Sequence, residues 1–323
     1  MTEPISAPGE ATYALACNGE VMMTDSTVTF AGVELGGTKC ICTLASGPDA
    51  IVDQVTIPTG QPDETLAAIE ATMQGWRASH NIAALGIASF GPIDLDPLSD
   101  LYGFIIATAK PGWSNTDVAS RLSRRLQLPT AFDTDVNGAA LAEMLWGSGQ
   151  GLDDFAYVTV GTGVGVGLIV NGRPTRGFAH CELGHIRVAR LSGDAWPGSC
   201  PFHGDCVEGL SSGGAIKARL DGEDISGLAI SDPLWDSVAS AIAQLCHVLV
   251  CAAAPRRIAI GGGVIEGQPH LLGRIEALLV ESLAGYMYLP APAPYVCAPG
   301  LGHRAGPLGP IALAMRLASE CAQ

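Results

Sequence analysis

A group of four cysteine and histidine side chains has the chemistry and spacing of metal ligands: His185, Cys200, His203 and Cys206. The last three form a Cys-x-x-His-x-x-Cys pattern in a segment rich in glycine and proline, and the first lies upstream on a chain that can return to them. Two sulfur and two nitrogen ligands suit tetrahedral zinc, and a site closed by four protein ligands indicates a structural metal. His180 or Cys181 offers an alternative fourth ligand, and the spacing leaves that choice open.

Two apolar, β-type runs are interrupted by glycine turns that lie about 125 residues apart. The first turn is Gly36-Gly37-Thr38-Lys39 and the second is Gly161-Thr162-Gly163. Glycine lets backbone N–H groups approach an anion closely, although each turn alone is as readily an ordinary hairpin. Together they predict an internally duplicated, two-lobed α/β fold with the ligand between the lobes.

Carboxylate side chains follow another predicted strand at Asp133 and Asp135, and a helix of small residues is predicted to begin behind them near Gly138. An acid at such a junction either caps the helix or faces a cleft as a base. A further buried strand ends in Ser89-Phe90-Gly91-Pro92. Gly91 there marks either a ligand contact of an open α/β sheet or a plain turn.

Apolar periodicity predicts helices at 63–80, 115–126, 233–254 and about 270–285. The helix at 115–126 is expected to take Ser114 or Asn115 as its N-cap. A final helix is predicted from Pro310 onward. Residues 1–27 show no clear amphipathic period and are interpreted as an N-terminal extension.

Composition favours two domains and argues against nucleic-acid and membrane partners. The chain has 323 residues, 48% of them hydrophobic, and a formal charge of −15 that repels phosphate backbones and anionic lipid. The sequence shows no apolar run of about 18 residues and no signal-peptide pattern, so a cytoplasmic protein is expected. Its ten cysteines are then expected to remain thiols or to bind metal. Five are predicted to be small core residues: Cys40, Cys42, Cys246, Cys251 and Cys297.

Several segments taken together resemble the ROK sugar kinases of the hexokinase/actin-like superfamily, and most closely their zinc-containing fructokinases. The segments are Glu34 to Lys39, SFGPIDL, ATAKPGW, DTDVNGAALAE, Gly161 to Gly167, Glu182-Leu183-Gly184-His185 and CPFHGDCVEG. The resemblance covers the chain from about residue 28 to its end. It implies a two-lobed actin/hexokinase-like (ribonuclease H-like) α/β fold, with a zinc-binding loop and a ligand cleft between the lobes.

The resemblance also implies the chemistry of the cleft. Asp135 occupies the position of the catalytic aspartate, which accepts the proton of the attacking sugar hydroxyl during transfer of the γ-phosphoryl group of ATP. The backbones of the two glycine turns then hold the triphosphate, Mg²⁺ bridges its oxygens, and Gly261-Gly262-Gly263 lies against the adenosine. Two departures concern Glu34 and Thr134, where many relatives carry aspartate and asparagine.

Sugar-binding and metal-binding residues follow from the same resemblance. The substrate-binding residues that it implies are Gly91, Asn137, Glu182, His185 and Glu208. Asn137 is expected to support Asp135. His185 matches the ligand position of the family, so it is preferred over His180 or Cys181 as the fourth zinc ligand beside Cys200, His203 and Cys206.

The predicted small lobe comprises residues 28–135 and 305–323, and the large lobe comprises residues 136–304. The last helix is expected to pack back on the small lobe, and the family implies a homodimer. The leading prediction is an ATP-dependent fructokinase that forms the 6-phosphate. The alternatives are a glucose or mannose kinase and, from another class, a sugar-binding regulator without kinase activity. A ROK-type repressor is expected to need an N-terminal DNA-binding domain longer than the acidic residues before Val28.

Overall fold

A computed structural model describes residues 28–222, 225–292 and 294–321. The predicted extension at residues 1–27 lies outside the described residues. The strands are β1 (Val28–Leu35), β2 (Lys39–Ala45), β3 (Ile51–Pro58), β4 (Asn81–Ser89), β5 (Phe104–Ile105), β6 (Thr116–Asp117), β7 (Thr130–Thr134), β8 (Phe155–Val160), β9 (Val164–Val170), β10 (Arg173–Pro174), β11 (Ile258–Gly261) and β12 (Val296–Cys297). The α-helices are α1 (Pro62–Arg77), α2 (Ala119–Leu126), α3 (Asp135–Trp146), α4 (Val207–Ser211), α5 (Gly213–Arg219), α6 (Leu234–Ala253), α7 (Gly263–Gly267), α8 (His270–Leu283) and α9 (Ala305–Cys321).

Two five-stranded sheets share one topology. The first sheet has the order β3-β2-β1-β4-β7 and the second has the order β10-β9-β8-β11-β12. In each, the first three strands in sequence form an antiparallel meander, the fourth pairs in parallel with the first, and the fifth pairs in parallel with the fourth. The duplicated α/β architecture predicted from the two glycine turns is therefore confirmed.

The strand next to each meander, β4 in the first sheet and β11 in the second, is a nearly continuous apolar run because helices cover both of its faces. In the second sheet, β8 and β11 pack with α6 and α8 in one large core. Among the described residues, α6 is the one helix long and apolar enough to cross a membrane, yet 56% of its apolar window is buried inside the molecule. A core helix of a folded domain explains that apolar run.

Helices α3 and α9 pack against each other, and both sheets contact this pair. α9 lies on β1 and β4 of the first sheet, whereas α3 contacts β8 and β9 of the second. The two helices cross at glycines: a Cβ on Gly309 would lie 2.6 Å from the carbonyl carbon of Gly138. A Cβ on Gly86 of β4 would lie 1.7 Å from the carbonyl oxygen of Pro310, so the strand and α9 also meet backbone to backbone. The expected packing of the last helix on the first half of the chain is confirmed.

Three helix starts differ from their predictions. The helix expected at 115–126 begins at Ala119, because Thr116 and Asp117 pair with β5 and the Asp117 carboxylate accepts N–H bonds from Ser120 and Arg121. The helix expected near Gly138 begins at Asp135, because Thr134 supplies its cap. The last helix begins at Ala305 and contains Pro310. In a helix, the backbone N–H of residue 310 would donate to the carbonyl of Gly306. Proline has no N–H, so α9 lacks this one hydrogen bond, whose acceptor lies in the first turn of the helix.

The cysteine prediction is confirmed for Cys40, Cys42 and Cys246, which are buried. It is wrong for Cys251, which is exposed near the end of α6, and Cys297 is only half-buried. The neighbours of Cys251 in the sequence are apolar, but they do not reveal that this position lies on the exposed face of α6.

The glycine crossing predicts the effect of one added methyl group. Gly309→Ala should lower the free energy of unfolding by about 2–3 kcal/mol, because the Cβ meets backbone atoms that cannot move aside. Gly273→Ala, inside α8 with no atom within 4 Å of its Cβ position, is the matched control. That variant should gain up to about 1 kcal/mol from helix propensity. Urea unfolding measures both, and equal stabilities would contradict the close crossing.

Candidate active site and metal cluster

Asp135 is the first residue of α3, directly after β7. The Thr134 hydroxyl accepts the N–H of Asn137 at 3.1 Å, so the helix has its cap without Asp135. The Asp135 carboxylate accepts the N–H of Val136 at 2.8 Å and is half-buried at the helix start. The strand-to-helix junction therefore presents this acid at the end of the first sheet.

Asp135 responds to the charge of one carboxylate and acts on the charge of another. Burial, reinforced by the charge of Glu182, raises the pKa of Asp135 to about 6, although the Val136 N–H opposes the shift. Burial, reinforced by the charge of Asp135, raises the pKa of Glu34 to about 7 against the opposing effect of Lys39. Glu34 comes from β1, and its carboxylate lies against Gly306 of α9. Three acids from separate elements are thus coupled electrostatically at the start of α3.

The first glycine turn joins β1 to β2 as an open hairpin. The Gly36 N–H donates to the Lys39 carbonyl at 3.1 Å, and the Thr59 hydroxyl donates to the Gly36 carbonyl at 2.7 Å. Gly37 and Thr38 are exposed, and no atom lies within 4 Å of a Cβ placed on Gly37. The open space in front of this turn can accept a ligand.

The second glycine turn joins β8 to β9 and lies beside the Gly261-Gly262-Gly263 segment between β11 and α7. The Gly161 N–H donates to the Gly163 carbonyl at 2.9 Å, and the Gly213 N–H donates to the Gly161 carbonyl at 2.7 Å. Gly262, at φ 88°, lies so close to β8 that a Cβ would be 2.6 Å from the Val160 carbonyl oxygen. The predicted nucleotide residues Gly161 to Gly163 and Gly261 to Gly263 are thereby brought together.

Glu182 and His185 share one short turn. The residues Leu183–His185 form a 3-10 turn, and a Cβ on Gly184 would lie 1.9 Å from the Val164 carbonyl oxygen. The Glu208 carboxylate accepts the N–H of the same Val164 at 3.1 Å. Both predicted sugar-binding acids therefore lie beside the second glycine turn.

Gly91 contacts a histidine whose role in the site the sequence did not reveal. A Cβ on Gly91 would lie 3.2 Å from the ring of His180, whose Nε2 accepts the N–H of Ile93 at 3.1 Å. Because Nε2 accepts, the ring proton lies on Nδ1, which faces Glu182 at 3.5 Å. His180 thus connects the end of β4 to the turn that carries Glu182.

Asn137 contacts Asp133 rather than the expected Asp135. Its side-chain amide donates to the Asp133 carboxylate at 2.8 Å, and Arg176 forms an ion pair with the other oxygen of that fully buried group. Asn137 is itself 3% exposed. Asn137 therefore stabilises the junction between β7 and α3 by binding Asp133, the first of the two acids there.

The four predicted metal ligands converge. One donor atom from each of His185, Cys200, His203 and Cys206 lies within 4.8 Å of the other three. The His185 Nδ1 atom is 3.7 Å from both sulfur atoms, and the His203 Nδ1 atom is 3.7 Å from the Cys200 sulfur. A cluster with this donor set could hold a metal ion.

The competing ligands face other groups. His180 accepts the Ile93 N–H, and the Cys181 sulfur lies 3.1 Å from the Thr175 hydroxyl. Neither belongs to the described cluster. The structure therefore favours His185 as the fourth ligand.

Residues 30–317 match the ROK family. The chain belongs to the ROK family. This ROK protein is 37% identical to a fructokinase of Pediococcus pentosaceus over 284 residues, which cover 87% of this chain and 96% of the relative. It is 35% identical to a fructokinase of Streptococcus mutans over 297 residues, covering 90% and 99%.

A solved structure supports the same assignment of fold. A ROK family glucokinase from Streptomyces griseus, in complex with glucose and AMPPNP, superposes with a TM-score of 0.70 at 26% identity. The superposition covers 89% of this chain and 99% of that one. The predicted actin-like α/β class is therefore confirmed, and this ROK protein is a sugar kinase.

The convergence of these four side chains predicts that Cys200 is required for metal binding and that Cys181 is not. Cys200→Ser should lower the metal-to-protein ratio well below that of the wild type and destabilise the fold by about 3 kcal/mol or more, since metal binding contributes to folding. Cys181→Ser is the control because its sulfur faces Thr175. Elemental analysis and thermal unfolding check both variants. Equal metal loss in the two variants would contradict the assigned ligand set.

Proposed function

We propose that this ROK protein is an ATP-dependent fructokinase that phosphorylates the 6-hydroxyl of D-fructose. The observation that carries the proposal is the position of Asp135 at the start of α3, with Glu34 and Glu182 close enough to raise its pKa or respond to its charge. Fructokinases among its relatives share more than a third of their residues with it over nearly their whole length.

Asp135 acts as the general base. It accepts the proton of the sugar hydroxyl as the hydroxyl oxygen bonds to the γ-phosphorus of ATP, and the bond from that phosphorus to the β–γ bridging oxygen breaks to release ADP. A pKa near 6 suits the task, because the carboxylate is ionised at neutral pH and still holds a proton appreciably. Its place at a helix start adds N–H dipoles that favour the ionised form.

The sugar lies between the two sheets in this proposal. Glu182 and Glu208 accept hydroxyl protons, and the free ring nitrogen of His185 donates while its Nδ1 faces the metal cluster. Gly91 contributes by letting the His180 imidazole approach the end of β4, because a side chain at this position would meet the ring. Asn137 acts indirectly, by holding Asp133.

ATP lies across the glycine turns. The backbone at Gly36, Gly37, Thr38 and Lys39 faces the triphosphate from one sheet, and Gly161, Thr162 and Gly163 face it from the other. Gly261 to Gly263 lie against the adenosine. The acids Glu34 and Asp135 fit a nearby Mg²⁺, which would neutralise phosphate charge when it is bound with the nucleotide.

The cysteine and histidine cluster would hold zinc in a structural role. Tetrahedral zinc with bonds of about 2.3 Å to sulfur and 2.05 Å to nitrogen separates those ligand atoms by about 3.6 Å. The three sulfur-to-nitrogen distances of 3.7 Å agree with that separation. The zinc would hold His185 and, two residues beyond Cys206, the pocket acid Glu208.

We also propose that the protein is a cytoplasmic homodimer and that the boundary between its lobes lies between residues 135 and 136. The boundary is supported by the position of α3, which begins at Asp135 and contacts both α9 and the second sheet. The second lobe would end at residue 304, immediately before α9.

Turnover of a hexose panel tests the substrate and the base together. Fructose should give the highest kcat/KM with ATP, ahead of glucose and mannose. Asp135→Asn should lower kcat by about 10²–10⁴-fold, since it removes the proton acceptor and keeps the shape of the side chain. Coupled detection of ADP measures both, with Asp153→Asn, an exposed acid, as the control.

Three outcomes would contradict the proposal in different ways. A much higher kcat/KM on glucose or mannose would replace fructose as the substrate and keep the kinase. Full activity of Asp135→Asn would remove Asp135 from the mechanism. Sugar binding with no ATP turnover in the wild type would leave the regulator as the better interpretation.

A further inference from the structure

Lysine is used very selectively in this chain. Of its 17 basic residues, 14 are arginine and only three are lysine: Lys39, Lys110 and Lys217. Arginine or histidine supplies the cation of each ion pair in the described part of the chain. Lys39 and Lys110 nevertheless lie at the same place, the first glycine turn. A requirement for an ammonium group at this turn would explain that concentration.

The segment that carries Lys110 is fixed in place. It connects β5 to β6, and Trp113 within it is completely buried, donates its indole N–H to the Gly60 carbonyl at 2.9 Å and packs edge-on against Phe90. Gly112 adopts φ +83°, and a Cβ there would lie 2.8 Å from the side-chain oxygen of Gln61. The position of Lys110 therefore follows from packing.

The Lys110 ammonium group lies on the backbone of the turn. Its Nζ atom donates to the Gly37 carbonyl at 2.5 Å and to the Thr59 carbonyl at 2.9 Å. An ammonium group has three protons, so one remains for a further acceptor. Within the described residues no carboxylate forms an ion pair with Lys110. Carbonyl dipoles orient this charge without cancelling it.

We propose that Lys110 is a phosphate-binding catalytic residue, whose ammonium group contacts the terminal phosphates of the nucleotide at the first glycine turn. The proposal rests on the kinase function proposed above. The turn is exposed and open in front of Gly37, so an anion there meets both its N–H groups and the uncancelled charge. The segment between β5 and β6, which has no other assigned role, would then contribute to nucleotide binding.

The geometry explains why the residue is lysine. Two carbonyl oxygens converge on a single nitrogen, which suits a compact ammonium group better than a planar guanidinium. Lys110 forms no covalent bond in the reaction. Its charge offsets the negative charge on the phosphoryl oxygens and on the departing β–γ oxygen while Asp135 takes the hydroxyl proton.

Substitution of Lys110 tests whether its ammonium group contacts phosphate or only stabilises the turn through its bonds to the Gly37 and Thr59 carbonyls. Lys110→Met keeps the length of the side chain and removes its charge, and Lys217→Met on the exposed face of α5 is the matched control. Lys110→Met should lower kcat/KM for ATP by about 10²-fold, as loss of one transition-state donor does. Calorimetry should show weaker binding of ATP and ADP, with adenosine binding unchanged. Lys110→Arg, which keeps the charge, should fall between Lys110→Met and the wild type.

Three results would overturn the assignment. One is an equal loss of affinity for ATP and adenosine, with a lower melting temperature, which would make Lys110 a structural tie. Another is a higher KM for the sugar with unchanged ATP binding, which would make it a sugar contact. The third is unchanged kcat/KM in Lys110→Met. If the wild type binds ATP through Lys110 but phosphorylates no hexose, the kinase proposal fails and the phosphate contact stands.

Discussion

The site depends on how closely α3 can approach its neighbours. Gly138 and Gly309 let α3 and α9 meet backbone to backbone, and Gly167 of β9 lets the Val136 carbonyl approach so closely that a Cβ there would lie 2.1 Å from it. A side chain at any of these positions would push the start of α3 outward. Because Asp135 is the first residue of that helix, the same movement would displace the candidate base from Glu34 and Glu182.

This placement carries an electrostatic cost. Burial and the neighbouring acids raise the pKa values of Asp135 and Glu34, so the ionised forms needed for chemistry are less stable in the folded protein than in water. Such a cost is expected where a fold holds a reactive group ready. Lys39 already opposes the shift of Glu34, and a cation bound with the nucleotide would relieve more of the repulsion.

The architecture could be predicted from sequence because its signals are local. An apolar strand, a glycine turn and a second apolar strand occur twice, and both sheets are built from that unit. Helix starts were less accurate where a single side chain decides them, as Thr134 does for α3 and Asp117 for α2. The cluster of His185, Cys200, His203 and Cys206 was also predictable, since three of its four side chains lie within seven residues.

Contacts between distant segments could not be read from the sequence. His180 was considered only as an alternative metal ligand, and its bond to Ile93 joins residues 87 positions apart. Lys110 lies 73 positions from Gly37, and no local pattern predicts that they meet. Arg176, which pairs with Asp133, was missed for the same reason.

The pH dependence of stability tests most directly whether the surroundings of the half-buried Asp135 disfavour its ionised form. Its folded pKa is raised above the unfolded value, so its contribution is favourable below the unfolded pKa and is lost as the pH rises through about 6. In urea unfolding without ligands, Asp135→Asn should therefore be more stable than the wild type at pH 8, by about 1–3 kcal/mol, since each pKa unit corresponds to about 1.4 kcal/mol. This advantage should shrink towards pH 5. An advantage that is absent at pH 8, or that does not change between the two pH values, would contradict the account.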